Sequence, residues 1–154
     1  MTESEGGTAM ERTRPVILIA DDDEDILELV RVRLGRSGYE TVLTRDGAEA
    51  LAAARDRQPD LALLDVSMPV MDGYAVTRAL RSDPATAHIP VILLTARVQQ
   101  ADVDTGFEAG ADDYVTKPFS PQTLQLRVEA TLARAAAPAP STTLFGALRQ
   151  TTAQ

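Results

Sequence analysis

A doubly wound α/β fold, with one five-stranded parallel sheet between two layers of helices, is predicted by three features of this 154-residue sequence. Short apolar runs alternate with helix-spaced segments five times. The runs carry almost no internal charge, as strands buried on both faces require. Carboxylates, a hydroxyl and an ammonium recur where those runs end, at places that packing explains poorly. In an open parallel sheet the carboxyl ends of the strands form the ligand crevice.

Residues 1–13 show no periodicity and read as a disordered leader. Pro15 opens the first strand, Val16-Ile17-Leu18-Ile19-Ala20, which ends in Asp21-Asp22-Asp23-Glu24-Asp25. Ile26, Leu27, Val30 and Leu34 follow at helical spacing, and Gly38 supplies the stop. Tyr39 to Thr44 is a second strand, and Asp46 can cap a helix running through Ala48, Leu51 and Ala52 to about Arg57. Asp60 to Asp65 is the third strand. Asp72-Gly73 starts the third helix, with Ala75, Val76, Ala79 and Leu80 expected inward. Ser82 to His88 is polar and loop-like, and Pro90 to Thr95 is the fourth strand. Gln99 to Ala109 is a weak helix: Val103 and Thr105 are β-branched, and Gly106 costs roughly 1 kcal/mol against Ala. Asp113 to Thr116 is a short fifth strand followed by Lys117-Pro118-Phe119. Ser120 caps the last helix with Pro121 at its first position, and Leu124, Val128 and Leu132 form its inner stripe. The expected domain spans 14–134. Residues 135–154 form an Ala/Pro linker and polar tail, in which Leu144, Phe145 and Leu148 read as a frayed end, with a docking turn as the alternative.

Composition narrows the function. The chain is 44% hydrophobic, enough for one core, and its net charge of −8 without a basic cluster argues against direct nucleic-acid binding. It has no Cys and a single His, His88, so thiol chemistry and His-rich metal sites are excluded. No apolar run reaches bilayer-spanning length and the N-terminus is not a signal peptide, so a soluble, intracellular protein with no membrane partner is expected.

With strand order 2-1-3-4-5 the switch point lies between strands one and three. Asp21 and Asp22 then come beside Asp65, with Thr95 and Lys117 at the ends of strands four and five. Three clustered carboxylates repel one another unless a cation joins them, and hard oxygen ligands with open positions suit Mg²⁺. Lys117 and Thr95 suit a phosphoryl group, and Asp65 stands where a nucleophile would. The bland readings differ by residue. Asp23, Glu24 and Asp25 read as helix-start charge, Asp72 as a cap, and His88 as a surface residue. A calcium loop through Asp21, Asp23 and Asp25 is rejected, since Ile26 stands where Gly is needed and Val32 where Glu is needed.

Four motifs then act together: Ile17-Leu18-Ile19-Ala20-Asp21-Asp22; Leu64-Asp65-Val66-Ser67-Met68-Pro69-Val70-Met71-Asp72-Gly73; Leu94-Thr95-Ala96; and Gly110-Ala111-Asp112-Asp113-Tyr114-Val115-Thr116-Lys117-Pro118-Phe119. In this order the sequence resembles the receiver domain of bacterial two-component response regulators. The resemblance implies a flavodoxin-like (βα)5 three-layer sandwich and a cytoplasmic phosphorelay switch rather than a turnover enzyme. It implies Asp65 as phospho-acceptor from a sensor histidine kinase or phosphotransfer protein, with Thr95 and Lys117 assisting. Mg²⁺ would be held by Asp22, Asp65 and the Ser67 backbone carbonyl, with Asp21 acting through water. Tyr114 is implied as a switch aromatic that follows Thr95, Lys117-Pro118 as a cis bond, and Ser67 and Arg97 as positions that tune phosphoryl lifetime. The output face would comprise the weak fourth helix, the fifth strand and the last helix, signalling to a downstream protein or through a phosphorylation-dependent dimer. The chain reads either as a stand-alone receiver or as the front of a longer regulator.

Three rival readings fit these residues less well. A Mg²⁺-dependent phosphohydrolase with an aspartyl nucleophile would want Asp where Ser67 stands. A flavodoxin-like cofactor binder would want a Ser/Thr/Gly-rich loop where Asp21 to Asp25 stand. A phosphate-independent scaffold is disfavoured by the intact set Asp22, Asp65, Thr95 and Lys117.

Overall fold

The computed structural model describes residues 14–96 and 99–137. Strands and helices alternate as β1 (Val16–Ala20), α1 (Glu24–Arg36), β2 (Glu40–Thr44), α2 (Gly47–Arg57), β3 (Leu61–Asp65), α3 (Gly73–Ser82), β4 (Val91–Thr95), α4 (Gln100–Ala109), β5 (Asp113–Thr116) and α5 (Pro121–Ala135). The sheet is parallel throughout, in the order β2-β1-β3-β4-β5.

Alternating side chains within the same strands build two cores. Leu18, Ala20, Ala62, Leu64 and Leu93 face Ala50, Ala54, Val76, Leu80 and Ala109 of α2, α3 and α4. Ile17, Ile19, Leu61, Leu63, Ile92 and Leu94 face Leu27, Val30, Leu34, Leu124 and Val128 of α1 and α5. Both faces of each central strand are therefore covered, which explains the unbroken apolar runs.

Local chemistry fixes where the helices begin. Side chains of Asp23, Asp46, Asp72 and Ser120 each accept a hydrogen bond from an amide of the first turn that follows. Helix α4 alone among these five has no side-chain cap bond. Two expectations need correction, on α3 and at the start of β3. On α3 the inward side chains are Tyr74, Val76, Thr77 and Leu80, whereas Ala75 and Ala79 are only half-buried. The Thr77 hydroxyl can lie inward because it donates to the Gly73 carbonyl at 2.7 Å. On α5, Leu124 and Val128 are buried and Leu132 packs half-buried against the same core, as expected, with Thr131 buried beside them. Asp60 lies just before β3, where its carboxylate accepts from the Val16 amide at 2.7 Å.

The amino edge of the sheet uses its charges structurally. Asp112 accepts from the Val91 amide at 2.8 Å and from Arg81 at 2.9 Å. The same guanidinium donates to the carbonyls of Ala87, Ile89 and Gly110.

Candidate functional site

Register brings the site together. Ala20 pairs with Leu64, Asp65 with Leu94, and Thr95 with Thr116. The next residues along β1 and β5 are Asp21 and Lys117, so the strand ends deliver Asp21, Asp65, Thr95 and Lys117 to one edge. The Lys117 amide donates to the Thr95 carbonyl at 2.8 Å, and the Lys117-Pro118 peptide is cis, as the resemblance implies.

The Lys117 ammonium donates to Asp21 Oδ2 at 2.8 Å and lies 3.2 Å from Asp65 Oδ1. Asp21 is fully buried, and its other oxygen accepts from the Asp23 amide at 2.9 Å. Asp65 is 5% exposed, and the Ser67 amide donates to its carboxylate. Asp22 is exposed, leaving the cluster open to solvent on that side. Carboxylate oxygens of Asp21, Asp22 and Asp65 all lie within 4.8 Å of one another.

The loop after β3 is held close by Gly73, whose amide donates to the Val66 carbonyl at 2.9 Å. A Cβ on Gly73 would stand 2.6 Å from the Asp65 carbonyl oxygen, so only glycine lets α3 start against the end of the strand. Val70, in the same loop, has φ 72° and is 78% exposed. A β-branched residue in that region is strained, and here no burial offsets the strain.

Electrostatics single out Asp65. Burial, and then the charge of Asp21, push its acid up to about 6, against the opposing pull of Lys117 and the Ser67 amide. Burial disfavours the Lys117 ammonium, but its contacts with Asp21 and Asp65 outweigh that and raise its pKa. One ammonium thus faces three carboxylates, two of them buried. Such a donor set fits a hard divalent cation, for which Asp22 and Asp65 offer open oxygens. Mg²⁺, as the sequence implied, suits oxygen ligands that leave room for water.

Thr95 is buried at the end of β4, next to Asp65. Tyr114 is half-buried on β5, and its hydroxyl lies beside the hydroxyls of Thr95 and Tyr74. Its acidity is weakened, with the pKa pushed up to about 12, by burial and then by Tyr74. The sequence thus indicated Asp21, Asp22, Asp65, Ser67, Thr95, Tyr114 and Lys117, and the structure brings them to one end of the sheet. Arg97 lies outside the described residues, as do Leu144, Phe145 and Leu148. Sequence reasoning missed Tyr74. The only hint was an aromatic directly after the Asp72-Gly73 helix start, where small or aliphatic residues would pack as well.

Among the described residues no helix is long and apolar enough to cross a membrane. Residues 17–129 match the response regulator receiver domain family. The DNA-binding response regulator MtrA of Mycolicibacterium smegmatis is 44% identical over 125 residues, covering 81% of this chain and 54% of that protein. The alkaline phosphatase synthesis transcriptional regulatory protein PhoP of Bacillus subtilis is 45% identical over 125 residues, covering 81% and 51%. The chain therefore spans about half the length of these relatives. Among solved structures, the Vibrio cholerae chemotaxis response regulator CheY4 superposes with a TM-score of 0.74 at 33% identity, covering 77% of this chain and 99% of that one. The receiver domain of sensor histidine kinase PA1611 from Pseudomonas aeruginosa, solved with magnesium in its active-site cleft, gives 0.73 at 31% identity, covering 79% and 99%. By sequence, by fold and by the acidic edge between β1 and β3, the chain belongs to the response regulator receiver domain family.

Proposed function

We propose that Asp65 accepts a phosphoryl group from a phosphohistidine on a sensor histidine kinase or phosphotransfer protein, and that the acyl phosphate drives a conformational switch. The observation that carries this is the Asp65 carboxylate, nearly buried at the end of β3, lying 3.2 Å from the Lys117 ammonium with carboxylate oxygens of Asp21 and Asp22 within 4.8 Å. An Asp65 oxygen attacks phosphorus, a P–O bond forms, the donor's P–N bond breaks, and the leaving imidazole takes up a proton. Later, water attacks the same phosphorus and releases inorganic phosphate, and the Asp65 carboxylate is restored. Lys117 stays an ammonium throughout and balances charge on the phosphoryl oxygens, while Thr95 donates its hydroxyl to one of them.

Asp22, Asp65 and the Ser67 carbonyl would hold Mg²⁺, with Asp21 acting through water. When bound, the ion neutralises charge gathered at the site. The magnesium in the PA1611 receiver supports this assignment. The chain's own residues orient the reaction: Lys117 fixes Asp65, and the Ser67 amide holds the carboxylate toward the open edge. Ser67 and Arg97 are proposed to tune how fast water reaches the acyl phosphate.

The output is assigned to α4, β5 and α5, as a contact with a downstream protein or a second copy of the chain. The receiver is taken as 14–134, with 135–154 as connection or tail, in the cytoplasm, and with no direct nucleic-acid contact from this acidic segment. Self-phosphorylation from small donors and self-dephosphorylation are its only expected chemistry. Borohydride trapping after incubation with acetyl phosphate tests the acceptor. Reduction converts an aspartyl phosphate to homoserine, expected at position 65 alone; homoserine elsewhere, with Asp65 unchanged, contradicts the assignment.

A further inference from the structure

Helix α4 is the least secured element near the site. It lacks a side-chain N-cap and contains Gly106, which costs about 1 kcal/mol in a helix interior. Two contacts compensate, and both fall on one turn. The Tyr74 hydroxyl, from α3, donates to the Asp102 carbonyl at 3.2 Å. Four residues on, and so on the same face, Gly106 presents bare backbone to Tyr114. A Cβ there would stand 2.9 Å from Leu93 Cδ1 and 3.2 Å from Tyr114 Cε2. The Tyr114 ring is flanked further along α4 by Phe107, with ring centroids 6.4 Å apart.

The two tyrosines thus grip the same turn, one by a hydrogen bond and one by ring packing, while their hydroxyls lie side by side near Thr95. Tyr74 is 6% exposed and its ring belongs to the core shared by α2, α3 and α4. Leucine or phenylalanine would fill that space equally well, so the phenol oxygen calls for a role beyond packing.

We propose that Tyr74 is a positioning residue of the switch: its bond to Asp102 holds the first turn of α4 where Gly106 can receive the Tyr114 ring in its inward position. Tyr114 cannot move without changing the space at Gly106, and Tyr74 sets where that space is. This deepens the phosphoryl-switch reading and rests on it. A ligand shifts such an equilibrium only by its different affinity for the two states, so removing a bond made in one state lowers the apparent affinity of any ligand that selects that state.

The test uses the full chain, wild type against Tyr74→Phe, which keeps the ring. Calorimetry measures Mg²⁺ affinity and beryllofluoride affinity, and amide exchange is followed over 100–109. In the variant, Mg²⁺ affinity is expected to stay within about twofold, because no metal-holding side chain is altered. Beryllofluoride affinity is expected to fall about fivefold, the equivalent of one ordinary hydrogen bond. Exchange in the first turn of α4 rises in the beryllofluoride form. In a Tyr114→Ala background, which removes the ring that Gly106 receives, the fivefold effect shrinks below twofold, since the two residues act as a unit.

An unchanged beryllofluoride affinity overturns the proposal. So does an equal fall in Mg²⁺ affinity, which marks a general loss of structure, or a full fivefold effect that persists without the Tyr114 ring. If the wild-type chain itself does not bind beryllofluoride, the phosphoryl-switch reading fails first, and the two failures are told apart.

Discussion

Replacing Asp65 by Asn is predicted to stabilise the metal-free protein while removing its chemistry. Asp65 is almost buried and its acid is pushed up to about 6, first by burial and then by the charge of Asp21. At about 1.4 kcal/mol per pH unit, that displacement penalises the ionised form by about 3 kcal/mol. Solvent reaching the open edge screens part of this, leaving about 1–2 kcal/mol. Asparagine keeps the shape but takes from Lys117 one of its two anions, so a net gain of about 1 kcal/mol is expected. In a domain of this size that raises Tm by about 3–5 °C. The pH dependence carries the sign. The folded-state acid is weaker than that of the unfolded chain, so the folded protein holds the proton more tightly. The stability this confers is complete below the unfolded pKa, near 4, and is lost as the pH rises through about 6. The advantage of the variant is therefore largest above pH 7 and fades toward pH 4. Thermal melts of both chains in EDTA at pH 7.5 and 4.5 read it directly. A variant less stable than wild type at pH 7.5, or a difference that ignores pH, refutes the reasoning.

Three further predictions follow from the same geometry. Lys117→Met leaves Asp21, fully buried, with its carboxylate unpaired and should cost about 3–5 kcal/mol in denaturant unfolding; adding Asp21→Asn should recover most of that loss, and no recovery would show that charge is not the cause. Val70→Asn, which tolerates positive φ at this exposed loop position, should raise the urea midpoint by the equivalent of about 0.5–1 kcal/mol with unchanged slope; a lower midpoint would mean the valine side chain contributes contacts that outweigh the strain. Arg97→Ala should change the rate of phosphoryl loss, followed by phosphate release, more than it changes Mg²⁺ affinity, and equal changes would remove Arg97 from the tuning role.

The sheet was legible because its signal is chemical as well as periodic. Uncharged apolar runs identify strands covered on both faces, and the residues at the ends of those runs mark the edge. Asp21, Asp65, Thr95 and Lys117 were found because strand register converts sequence position into proximity. The caps Asp46, Asp72 and Ser120 were equally readable, since a short acceptor before an apolar stripe has few other uses. What escaped was the pairing of small and polar groups with particular neighbours. The expected inner stripes of α3 and α5 leave out Thr77 and Thr131, yet both are buried, and Thr77 satisfies its hydroxyl on its own helix as it turns inward. Gly106 read only as a weakness of α4; its value lies in the tyrosine ring against it, which no local pattern reveals. Tyr74 was silent for the same reason, because its partner is a backbone carbonyl 28 residues away.

The most direct measurement is the intact mass of the chain after incubation with acetyl phosphate, with and without Mg²⁺, beside Asp65→Asn. The account predicts a gain of one phosphoryl group in the wild type that requires Mg²⁺ and is absent from the variant. A gain of the same size in the variant, or one indifferent to Mg²⁺, would contradict the assignment of Asp65 as the acceptor.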